Sequence, residues 1–228
     1  MLPPDTRGAT SQGPLALSGV VFAALFLIGW FASGGDAPDY GAIDQDWIDW
    51  ADDNQWKSRV GAFAMLLAGF VFLHFAANVR TLLGTADDSA ELARVAFAGA
   101  ITGMAGMAMA IVIISSATTE GADVSPAVTR AIASASAGPF MLSAMGFAAF
   151  LMPVGLLTLR SGVFARWTGI VALIGAAGFI IAFAAVVSGL GEDSIFGFGF
   201  FPGVLALVIW SIATSVANYR SPADAGRA

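Results

Sequence analysis

Residues 60–79 read VGAFAMLLAGFVFLHFAANV, twenty positions without an Asp, Glu, Lys or Arg. As a helix this stretch rises about 30 Å, the thickness of the hydrocarbon core of a bilayer. Five more stretches share its character: 15–33, 95–116, 138–159, 168–190 and 198–218. Across all six, the only titratable side chain is His74. Strands of a membrane barrel would alternate apolar and polar residues, and these runs do not. The reading is an all-α, polytopic transmembrane helix bundle of six spans.

Composition agrees. Hydrophobic residues make up 57% of the 228 residues and charged residues only 11%, with a mean hydropathy of +0.80. A water-soluble domain carries about 25% charged residues to keep its surface solvated. Most of this surface must therefore meet lipid. The chain has no cysteine, which removes thiolate nucleophiles, iron–sulfur clusters and Cys-based zinc sites. A single histidine cannot build a multi-His metal site within one copy. The net charge of −6 and the absence of any Lys/Arg run give no footprint for nucleic acid. The one lysine, Lys57, lies outside the apolar runs, so no Schiff base forms inside the bundle.

The Lys/Arg distribution sets an expected orientation. Arg7, Arg80, Arg94, Arg160, Arg166, Arg220 and Arg227 fall on one side, against Lys57, Arg59 and Arg130 on the other. The richer side is expected to be cytoplasmic, in the plasma membrane of a prokaryote, with both termini there. Segments 1–14 and 220–228 are then cytoplasmic tails of a membrane domain over 15–219, and 34–59 is an external loop. The first run also admits a signal-peptide reading, since Ala32-Ser33-Gly34 are small. Its length of about 18 residues and its Trp30 favour an uncleaved anchor, because signal-peptide cores run to about 7–15 residues.

Small residues recur four apart at Gly99 and Gly103, and again at Gly199 and Gly203. Such spacing lets helix backbones approach closely. Packing within the chain is the expected use, and a homo-oligomer face is the alternative. Met104 and Met107, one turn apart, read as packing residues. Pro139 and Pro153 bracket the fourth run and Pro202 begins the sixth, each removing a backbone hydrogen bond and able to kink its helix.

The external loop holds seven of the 16 acidic residues and three of the six tryptophans. Within it, Asp44-Gln-Asp46-Trp47-Ile-Asp49-Trp50-Ala-Asp-Asp53-Asn-Gln-Trp56 has helical periodicity. Ile43, Trp47, Trp50, Ala51 and Asn54 share one face, while Asp46, Asp49, Asp52 and Asp53 gather opposite. The expectation is a short amphipathic helix over 43–56 on the outer interface, with Asp44 as N-cap and its tryptophans at headgroup depth. Three roles compete: a lipid anchor, a cap or docking surface for a partner, and a divalent-cation site. The last lacks the Gly and the bidentate Glu of an EF-hand loop.

His74 lies about 21 Å from the external end of the second span, with Asn78 one turn on. The pair is a candidate polar cluster facing the bundle. A satisfied structural imidazole, a proton relay or substrate contact, and a haem ligand are its three readings. No span carries paired carboxylates or a nucleophile with a base and an orienting third group. An enzyme is not expected, and no catalytic residue, metal site or cofactor is assigned. The leading functional expectation is a non-enzymatic membrane component presenting the acidic, Trp-rich loop to a partner or to lipid. The alternatives are a carrier or channel for a small neutral or apolar solute, with a cavity near the fourth and sixth spans, and a haem or quinone electron-transfer protein.

Residues 152–169, MPVGLLTLRSGVFARWTG, resemble a segment of uncharacterised bacterial integral membrane proteins with six to seven spans. In those, a helix ends in L-x-L-R-S-G and the next begins after R-x-x-G. The resemblance covers the last third of the chain. It implies a helical membrane protein and carries no activity or functional residue.

Overall fold

A computed structural model describes residues 17–33, 38, 42–84, 90–120, 125–188 and 195–220. Its elements are α1 (Ser18–Ser33), α2 (Asp44–Leu83), α3 (Ala90–Glu120), α4 (Pro126–Ala135), α5 (Ala137–Ser161), α6 (Arg166–Phe183), α7 (Ala185–Ser188) and α8 (Ile195–Arg220). Five helical stretches are long and apolar enough to cross a membrane, and α1 is a shorter apolar helix. Helices suit a chain in lipid because each backbone N–H and C=O is satisfied within its own segment. The expected tail 1–14, all of the expected tail 220–228 except Arg220, the cleavage question at the first span and the acidic residues Asp36 and Asp39 lie outside the described residues.

The expected six spans are all present as helix, with one difference in kind. Residues 44–56 are helical, but they are not a separate interfacial helix: α2 runs unbroken for 40 residues, about 60 Å. Polarity changes near Lys57, yet no proline or glycine interrupts the chain before Gly61. A change of solvent is no reason for a helix to stop. The N-cap also differs. Ile43 holds the extended cap conformation, and Asp44 is the first helical residue.

Two other boundaries have clear local causes. Pro139 lacks an N–H and its ring crowds the carbonyl of Ala135, and the turn at Ser136 separates α4 from α5 at this place. Helix α5 ends at Gly162, whose φ of +67° is left-handed; its N–H donates to the Thr158 carbonyl oxygen at 3.1 Å, a glycine stop that L side chains resist. Pro153 and Pro202 instead sit inside continuous helices.

The apolar helices pack as a closed ring in the order α1, α2, α3, α5, α6, α8, with α8 returning to α1. Closure is fastened at α1, where the Gly19 N–H, in the unsatisfied first turn of its helix, donates to Ser215 Oγ of α8 at 3.0 Å. The middle of the ring is aromatic. Phe22 and Phe72 have centroids 4.5 Å apart, Phe72 and Phe150 5.3 Å, Phe150 and Trp210 5.5 Å, and Phe147 and Phe179 5.3 Å. All are tilted or edge-on, the arrangements aromatic quadrupoles prefer. Outside, Ile28, Phe63, Phe70, Ile101, Ile174 and Leu205 are exposed. In water so large an apolar surface would aggregate; here it is the lipid face.

Lipid gives helices no hydrophobic reason to associate, so close backbone contact must supply the packing energy. Gly99, Gly103 and Gly106 of α3 meet Gly146 and its neighbours on α5. A methyl group added at Gly146 would come within 2.5 Å of Gly103 Cα and 2.7 Å of the Thr102 carbonyl carbon. Gly199 and Gly203 meet α6 at Gly178 and Phe179 in the same manner. Both small-residue faces are thus occupied by helices of the same chain and closed to a second copy. Met104 and Met107 are buried in the same core.

Gly146→Ala should lower the melting temperature in detergent by the equivalent of about 1–3 kcal/mol, the usual cost of overpacking. Gly138→Ala, where an added methyl meets nothing within 4 Å, should leave it unchanged or slightly raised. Equal melting of the two variants would remove the close-approach account.

Candidate functional site

The first four turns of α2 stand beyond the apolar span that begins at Val60, and their helical state has local support. Asp44 and Asp46 occupy the first turn, where negative charge favours the helix dipole. Gln45 Nε2 donates to Asp49 Oδ1 at 2.8 Å, Asn54 Nδ2 to the Trp50 carbonyl oxygen at 3.0 Å, and Lys57 Nζ to Asn54 Oδ1 at 3.1 Å.

The two faces divide as the periodicity predicts. Trp47, Trp50, Ala51 and Asn54 are buried, while Asp46, Asp49, Asp52 and Asp53 are exposed. What covers the tryptophans is not lipid headgroups but protein. Trp47, 1% exposed, and Trp50, 7% exposed, pack with Ala51 against Ile114 and Ala117 of α3 and Ala133 of α4. The two indoles meet edge to face at 5.8 Å. Trp56 lies off this face and is 74% exposed. Ile43, expected on the apolar face, is exposed as well.

This end of the molecule is therefore a small second core, separate from the aromatic core of the ring. Its third wall is α4, which the sequence reading did not single out. The signals were present: Ser125-Pro126 is a helix start with proline in the first turn, and Thr129, Ile132 and Ala133 fall on one face. Ten residues are too few to span a bilayer, so a search for membrane helices passes over them. Arg130 of α4 pairs with Asp44 at 3.2 Å, which ties α4 to the start of α2. Both side chains are more than 40% exposed, so the pair adds only a few tenths to about 1 kcal/mol.

Among the described residues no three His, Asp or Glu side chains converge in a way that would hold a metal ion. The aspartates of α2 fan outward along the helix and do not enclose a point.

His74 requires a correction. The sequence reading turned it toward the bundle with Asn78; in the structure it is exposed on the outer surface. Its Nδ1–H donates to the Phe70 carbonyl oxygen one turn back at 2.9 Å, and its ring lies 4.7 Å from that of Phe70. Phe72, Phe75, Ala76 and Val79 are the residues of this stretch that face the core, and their bulk sets the rotation of the helix. Asn78 is half-buried.

A closed ring of apolar helices with a lipid-facing exterior and a polar cap at one end defines a multi-pass helical membrane protein. The chain belongs to the family described as a domain of unknown function (DUF4386), whose model matches residues 17–216. No match was found among curated proteins or among solved structures.

Trp47→Ala should destabilise the cap by about 3–5 kcal/mol, as truncation of a fully buried indole does. It would show as faster protease cleavage within 44–56, with the membrane core still protected. Asp44→Asn should have little effect. Equal cleavage rates for Trp47→Ala and the unaltered protein would mean that the indole does not hold the cap.

Proposed function

We propose that this protein is a non-enzymatic membrane component whose acidic end docks a partner protein carrying a basic segment. The single observation that carries the reading is the burial of Trp47 and Trp50, which fixes Asp46, Asp49 and Asp53 outward on a helix braced by α3 and α4. A rigid display loses little conformational entropy on binding. The three cations at this end, Lys57, Arg59 and Arg130, are outnumbered by Asp44, Asp46, Asp49, Asp52 and Asp53, and Arg130 is already paired with Asp44, so the outward face stays negative. Exposed Trp56 adds an aromatic anchor beside the charges, a residue type enriched where partners bind. The seven-to-three Lys/Arg split supports placing this face outside the cytoplasm of a prokaryotic cell.

A second reading, a carrier for a small neutral solute, has one observation in its favour. Trp210 Nε1 and Ser211 Oγ are buried in the ring without a hydrogen-bond partner among the described residues, and such groups are costly unless something hydrogen-bonds them. The aromatic filling between α5, α6 and α8 weighs against a through-passage. Trp210→Phe tests it: glycerol-driven swelling of proteoliposomes that is the same with either residue would remove its polar handle.

The docking reading is tested by Asp46→Asn combined with Asp49→Asn and Asp53→Asn. These exposed substitutions should leave the melting temperature within about 0.5 kcal/mol of the parent. Recovery of the cross-linked partner from native membranes should fall about tenfold, as it should for the unaltered protein at high salt. Undiminished recovery from the triple variant would sink the proposal.

A further inference from the structure

At the opposite, Arg-rich end, the close of α2 and the start of α3 frame an open groove of about 440 Å³ lined by Ala77, Arg80, Thr81, Gly84, Ala90, Ala93 and Arg94. We propose that this groove binds the phosphate of an anionic phospholipid headgroup.

The argument begins with the two guanidinium groups. Arg80 and Arg94 are both exposed, and among the described residues neither has a carboxylate within ion-pairing distance, although Glu91 lies one turn from Arg94. The Arg80 guanidinium sits over the ring of Phe97 at 5.4 Å. This cation–π contact steadies the side chain beside the groove, and a guanidinium carries five directional N–H donors. Those donors form the fork that matches phosphate oxygens. Ala90 brings the first turn of α3 to the groove, and the dipole at a helix N-terminus favours an anion.

The carboxylates nearest in sequence are Glu91, one turn from Arg94, and Asp87 and Asp88 in the connection 85–89, which lies outside the described residues. The last turn of α2 presents carbonyl oxygens, but that of Arg80 accepts the Gly84 N–H at 2.9 Å and that of Ala77 accepts the Thr81 hydroxyl at 3.0 Å. Ala77 and Ala93 give the groove an apolar floor. The groove lies where the apolar runs 60–79 and 95–116 end, which is the depth at which a bilayer places its phosphates. A phospholipid there sets its phosphate between the arginines and its acyl chains along the apolar outer faces of α2 and α3. That combination of depth, apolar floor and unpaired guanidinium groups selects a lipid over a soluble phosphate.

The test is native mass spectrometry of the full chain in mild detergent, titrated with phosphatidylglycerol or with phosphatidylcholine. Arg94→Gln is the first variant, because Arg94 is exposed and its loss threatens no packing; Arg80→Gln is the second. Arg160→Gln removes the same charge from the same side at α5 and controls for general attraction. Phosphatidylglycerol should bind about tenfold more weakly to Arg94→Gln than to the parent or to Arg160→Gln, as the loss of a charge-assisted hydrogen bond implies. Phosphatidylcholine should bind weakly and equally to all, and millimolar inorganic phosphate should not displace the bound lipid. Equal phosphatidylglycerol binding by Arg94→Gln and the parent would overturn the site. Full displacement by inorganic phosphate would overturn its assignment to lipid. The site is at the other end of the molecule from the acidic face, so failure of either reading leaves the other standing.

Discussion

The contact between the backbones of α3 and α5 at Gly103 and Gly146 is the constraint on which the rest depends. In water a Leu or Phe at such a position would be rewarded by burial. In lipid the same side chain gains nothing by leaving its surroundings, and helices hold together through surface fit. Glycine at the crossing removes the side chains that would keep the axes apart. The α6–α8 crossing at Gly178 and Gly199 repeats the device. With the helices drawn close at the rim, the ring encloses a space small enough for Phe72, Phe147, Phe150, Phe179 and Trp210 to fill.

The fixed ring also determines what can be built beyond it. Helices α2 and α3 extend past their apolar spans on the acidic side, and their relative position there is inherited from their packing inside. Trp47 and Trp50 meet Ile114 and Ala117 because of that alignment, and α4 closes the third side. The result has different chemistry at its two ends: a braced face of aspartates at one, two exposed arginines around a groove at the other. The lipid-facing middle carries no ionised group in its spans, so the features able to recognise a charged ligand sit at the two interfaces.

Much of this was legible in the sequence. The six apolar runs, the two-faced character of 44–54 and the glycine pairs follow from residue type and spacing, because period and length are local properties. The errors have a common origin. The change of polarity near residue 56 suggests a boundary there, although helix continuity depends on backbone geometry and not on the solvent outside. His74 was turned inward on the rule that polar groups avoid lipid, yet a bond to its own helix at the Phe70 carbonyl satisfies the imidazole without a partner, and the phenylalanines of the same helix claim the inner face. Helix α4, at 10 residues, is too short to stand out in a hydropathy pattern of span length.

The sequence by itself determined that the chain is a helical membrane protein, which stretches are apolar helix, and which face of the first loop is acidic. These are set by hydropathy, by period and by the need of every backbone amide in lipid to bond within its own segment. Only the tertiary structure decided that the crossings close into a ring from α1 to α8, that the tryptophans of the loop are covered by protein, and that Arg80 and Arg94 share a groove. Each of those joins residues distant in sequence, as Gly19 and Ser215 do at 196 positions apart. Such pairings rest on the shapes of several helices meeting at once, which no single stretch of sequence contains.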